Sequence, residues 1–149
     1  MSRFVIADST NHYDGRDVAR RPLGGTETSV IQLAEALARR GHEVVCRTNT
    51  PERVLHHGVV WLPLGTPRAG ECDVFVAVQH PELLRAAERA RRLTLWVMWP
   101  PASLRRRHRA VRLWRHRPRP VFVSEFQARG YPRWLPGRRP LAVIPFGLP

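Results

Sequence analysis

GGTETSVIQLAEALARRGHEVVCRT, residues 24–48, decides the fold. Val30, Ile31, Leu33, Ala34, Leu37 and Ala38 recur at three- and four-residue spacing, which predicts an amphipathic helix. Arg39 and Arg40 suit the negative end of that helix, and Gly41 is the residue expected at a left-handed stop. Glu43-Val44-Val45-Cys46-Arg47-Thr48 then reads as a strand. Upstream, Arg3-Phe4-Val5-Ile6-Ala7 is an apolar run closed by Asp8, again a strand, and residues 8–23 form a long polar loop. Strand, loop, helix and strand in this order predict a parallel pair with a right-handed crossover.

The alternation continues outward. Val59-Val60-Trp61-Leu62, Asp73 to Val78, Leu93 to Met98, Pro120 to Val123 and Leu141 to Ile144 read as further strands. Helices are predicted over Glu82–Arg92, Ser103–Arg115 and Glu125–Tyr131. Near-continuous apolar strands between helices predict an α/β fold. The expected architecture is a Rossmann-like parallel sheet of six to seven strands with helices on both faces, Phe4–Ala7 at its centre.

The chain has 149 residues, 43% of them apolar, which suits a single domain with one buried sheet. No apolar run approaches the ~20 residues of a membrane span. The start leads into a strand rather than a secretion signal, so a cytoplasmic location is expected. Two cysteines, Cys46 and Cys72, are too few for a disulfide framework or a zinc cage. All 25 basic residues are arginine, against 12 acids. Eleven of those arginines, and no acid, lie between Arg89 and Ser124, so one electropositive segment sits on a nearly balanced domain.

In an open parallel sheet, ligands bind beyond the carboxyl ends of the strands. That rule selects Asp8 to Gly25, Gln79-His80, Met98-Trp99, Ser124-Glu125 and Phe146-Gly147. Gly24 and Gly25 at a helix start let backbone N–H groups approach an anion, or else form only a tight turn. His56 and His57 are adjacent, so they do not share a helix face as zinc ligands four residues apart would, and no metal site is expected. Cys46, in an apolar strand, reads as inert core.

Leu23-Gly24-Gly25-Thr26-Glu27, the helix after it and Arg40-Gly41-His42-Glu43-Val44 resemble the N-terminal domain of family 4 glycosyltransferases, enzymes of GT-B architecture. The likeness extends through Asp73-Val74-Phe75-Val76 and Val121 to Phe126 to Val143-Ile144-Pro145-Phe146-Gly147. It implies that residues 1–149 are an acceptor-side domain, with the donor-binding domain absent from this chain. A complete enzyme would transfer a sugar from a nucleotide-sugar donor to a sugar or lipid-linked acceptor, with retention and without a metal or other cofactor. Gly24 and Gly25 inherit the role of approaching the phosphates or acceptor, and Glu27 that of orienting the loop. Ser124 and Glu125 follow a cleft-facing strand, where Ser124 either caps the next helix or reaches the ligand. Met98-Trp99 stands where the family often has a histidine, which leaves His80 as the candidate catalytic group beside a solvated or structural reading. The family's paired donor-binding glutamates have no counterpart here, so weak or no activity is expected of this chain alone.

A second function class starts from charge. Arg105, Arg106, Arg107, Arg109, Arg112 and Arg115, with Val111 and Trp114, suit a non-enzymatic module docking on an anionic membrane surface, peripherally at its inner face, or on RNA. Aromatic residues are too sparse there for a single-strand platform, which disfavours nucleic acid.

Overall fold

The computed structural model describes residues 1–67, 70–87 and 89–146, so Gly147 lies outside it. Its strands are β1 (Arg3–Ala7), β2 (Glu43–Thr48), β3 (Val54–His56), β4 (Val59–Pro63), β5 (Glu71–Val78), β6 (Arg89–Val97), β7 (Arg119–Phe122) and β8 (Ala142–Val143). They form one sheet in the order β3-β4-β2-β1-β5-β6-β7-β8. Every neighbouring pair is parallel except β3 with β4. Sequence order reverses on either side of β1, the doubly wound arrangement that opens a crevice between β1 and β5. The architecture is α/β and compatible with a Rossmann-like single domain.

Strand alternation sorts the core into two clusters. Ile6, Val44, Cys46, Trp61 and Val78 pack with Val30, Ile31 and Ala34 of α1 (Gly25–Arg39). Val5, Ala7, Phe75, Leu95 and Phe122 pack with Ala110 and Leu113 of α2 (Arg107–His116) and Ala128 of α3 (Glu125–Arg129).

Three expected elements are corrected. The helix over Glu82–Arg92 is replaced by a 3-10 turn at Pro81–Ala86 and by the start of β6 at Arg89. Alanine and arginine favour helix, but Arg89, Ala90 and Arg92 instead extend the ladder opposite Glu71, Cys72 and Val74, and tertiary pairing overrides propensity. The helix over Ser103–Arg115 is broken: a 3-10 turn at Pro101–Arg105 seats Leu104 in the core, Arg106 adopts an extended ψ of 134°, and α2 follows. α2 ends where Arg117, barred from the helical region by Pro118, turns left-handed at φ 46°. The sheet has eight strands rather than six to seven because β3 folds back on β4, a pairing too short to leave a periodic pattern.

Candidate functional site

Beyond β1, Asp8 is fully buried and organises the polar loop. Its carboxylate accepts hydrogen bonds from the Thr10 amide (2.9 Å), the Thr10 hydroxyl (2.5 Å) and the Tyr13 phenol (2.6 Å). Its own amide donates to the Arg47 carbonyl at 2.9 Å. Burial, then the charge and hydrogen bond of Asp8, push the Tyr13 phenol far above its ordinary pKa, so it remains a donor. Thr48 ties the same turn down, donating to the Tyr13 carbonyl at 2.6 Å.

This anchored loop faces the start of α1. Gly24 is the N-cap, extended and without a capping side chain, so the first-turn N–H groups find no side-chain acceptor on the cap. Glu27, in the first turn, is buried and accepts a hydrogen bond from the Asn11 side chain. The two glycines differ. A Cβ on Gly24 would lie 2.6 Å from Glu27 Oε2, whereas a Cβ on Gly25 meets nothing within 4 Å. Neither adopts positive φ, so neither is needed for a left-handed turn.

Asn11, Tyr13, Asp14, Arg16, Arg20, Gly24 and Glu27 are among the residues lining an open cleft of about 640 Å³. Burial alone would raise the Asp14 pKa. Side-chain and backbone hydrogen bonds from Arg16, its charge, and Thr50 outweigh that and hold the carboxyl below its ordinary value. Arg16 is thereby engaged, its Nε and Nη2 lying 3.1 and 2.9 Å from the two Asp14 oxygens. Arg20, by contrast, lines the same cleft and makes no ion pair among the described residues.

A second polar group follows β5, β6 and β7. Gln79 is fully buried in the left-handed region at φ 63°. Its Oε1 accepts from the amides of Met98 (2.8 Å) and Trp99 (2.9 Å), while its Nε2 is buried without a hydrogen-bond partner among the described residues. Gln127 donates to the Met98 carbonyl at 3.0 Å, and its Oε1 is likewise unpartnered. Two amides thus clamp one peptide and each keeps one unspent polar atom. Ser124 caps α3, its hydroxyl accepting from the Gln127 amide at 3.1 Å. Glu125 is exposed and lines a separate depression with Arg129, Arg133 and Arg139.

His80 is half-buried, edge-on to Trp99 with ring centroids 5.5 Å apart. Burial, then the nearby Arg109 charge, lowers its pKa against the opposing pull of Glu82 and Asp8. Neutral imidazole is therefore its form near pH 7. Arg109 itself turns inward and pairs with Glu82 at 2.9 Å, which removes it from the anion-facing arginines. Arg105, Arg106, Arg107 and Arg115 remain exposed beside Val111 and Trp114, and Arg112 is half-buried.

No side-chain hydrogen bond joins the two polar groups among the described residues. The rule of carboxyl strand ends finds both stretches in the sequence, and a polar residue directly after an apolar strand is the signal for Asp8 and Gln79. The bent backbone at Gln79 and the freedom of Arg20 leave no such trace. Comparison with protein-family models, curated proteins and solved structures finds no match to this chain.

Proposed function

We propose that this domain is the acceptor-side half of a retaining glycosyltransferase that uses a nucleotide-sugar donor. The observation that carries the reading is the opening of α1 at the carboxyl end of central β1. There a helix N-terminus without a side-chain cap, with no Cβ in its path at Gly25, borders a polar cleft lined by Arg20, which makes no ion pair among the described residues. Such a site stabilises the negative charge that develops on a departing diphosphate as its bond to the anomeric carbon breaks. Exposed Trp99, Phe126, Ile144 and Phe146 follow the carboxyl ends of β6, β7 and β8, on the rim that a second GT-B domain faces. A crevice between two domains does the chemistry, so this domain alone is expected to bind nucleotide sugars without turning them over. Incubation of the purified chain with a panel of nucleotide sugars, scored for binding, hydrolysis and transfer, tests this. Robust turnover would contradict the half-enzyme reading, and absence of any binding would contradict the transferase.

A second reading, docking on an anionic membrane surface, is favoured by α2. Val111 (58% exposed) and Trp114 (47% exposed) stand beside Arg107, Arg112 and Arg115 rather than facing the core. Co-sedimentation with liposomes should then require anionic lipid, weaken at physiological salt, and be lost on changing Arg107, Arg112 and Arg115 to Gln. Attachment that ignores lipid charge would contradict it, as would tighter binding to RNA than to liposomes. No helix among the described residues is long and apolar enough to cross a membrane.

A further inference from the structure

We propose that Glu35, His56 and His57 form a binding site for zinc, borne by α1 and the β3–β4 hairpin and separate from the transferase cleft. The sequence spacing conceals it, because the third ligand comes from α1, which β2 separates from the strand that carries His56.

The hairpin is joined by the two-residue turn His57-Gly58, His56 pairing with Val59 across it. Both turn residues have positive φ, 48° and 77°, the mark of a type I′ turn. Asparagine or glycine ordinarily takes the first position, and histidine is among the residues that tolerate left-handed backbone there. Its consequence is visible. The His57 ring is turned onto α1, with Nδ1 2.9 Å from Glu35 Oε1. His56 stacks on it, ring centroids 3.9 Å apart at an interplanar angle of 29°. One ligand atom from each of the three residues lies within 4.8 Å of the others.

Zinc bonds of about 2.0–2.2 Å place tetrahedral ligands about 3.4 Å apart, so the stacked imidazoles must unstack and turn their nitrogens toward Glu35 to close the set. Two imidazoles and one carboxylate match a borderline transition ion rather than calcium or magnesium. His57 is exposed, which leaves a coordination position for water. Among the described residues the cation paired with Glu35 is Arg39, whose Nη1 lies 4.0 Å from Glu35 Oε2 on an exposed side chain. On binding, the metal takes the place of the Nδ1 proton that His57 directs at Glu35, and the neutral ring keeps its one proton on Nε2.

Isothermal titration of the purified, chelator-treated chain with zinc chloride tests the site. One zinc per chain with a micromolar dissociation constant is expected, together with a zinc-dependent rise in melting temperature. His57→Asn keeps the turn, since Asn-Gly is its preferred sequence. Without zinc this variant should melt at or above the parent, while losing affinity by about tenfold or more. Glu35→Gln should lose affinity similarly, and His12→Asn, in the other cleft, should not. Binding that fails to saturate below millimolar zinc would overturn the proposal. So would zinc affinity that persists in both His57→Asn and Glu35→Gln.

Discussion

Asp8→Ala is expected to cost about 3 kcal/mol of stability, since it strands a buried phenol and frees the polar loop. The carboxylate is fully buried and receives three hydrogen bonds, from Thr10 twice and from Tyr13. Its removal leaves the Tyr13 hydroxyl without a partner in a site closed to water. Chemical denaturation of Asp8→Ala, Tyr13→Phe and the double variant gives the coupling directly. Tyr13→Phe removes both the stranded hydroxyl and its demand, so the double variant should be less destabilised than the two single losses added. Strict additivity would mean that Asp8 acts on the loop through Thr10 alone.

That polar centre also marks how far the sequence could be read. Residues 3–48 are legible because three local signals agree: an apolar strand, a 3.6-residue helical period closed by Gly41, and a second strand. Central placement of Phe4–Ala7 follows from the same unit, and the sheet bears it out. Legibility fails where local and tertiary preferences part. Arg89–Arg92 carries helix-forming residues yet lengthens β6, because the long β5 offers an unpaired ladder beside it. Ser103–Arg115 looks continuous, but Leu104 reaches the core only if the chain bends at Arg106. The site divides similarly. Gly24, Gly25 and Glu27 stand together at the head of α1, as their positions suggest, and Ser124 takes its capping role. Glu125 and Arg109 face elsewhere, since direction on a short helix depends on what it packs against.

The second large effect concerns Gly25. A side chain there projects into open space, and the backbone is not left-handed, so Gly25→Val should change melting temperature little. If the N–H groups at the head of α1 receive phosphate oxygens, the same substitution should cut affinity for a nucleotide sugar by at least about tenfold, or 1.4 kcal/mol. Gly24→Val is its counterpart. There the new Cβ falls 2.6 Å from Glu27 Oε2 and displaces the carboxylate that Asn11 holds, so stability and binding should fall together.

Amide chemical shifts of the isotopically labelled chain, followed while a nucleotide sugar and then its free nucleoside diphosphate are titrated in, test the central claim most directly. Saturable shifts should centre on Gly25, Thr26, Glu27 and the Arg20 side chain, and should vanish in Gly25→Val. Shifts confined to the arginines of α2, or unaltered by Gly25→Val, would contradict a phosphate site at the head of α1.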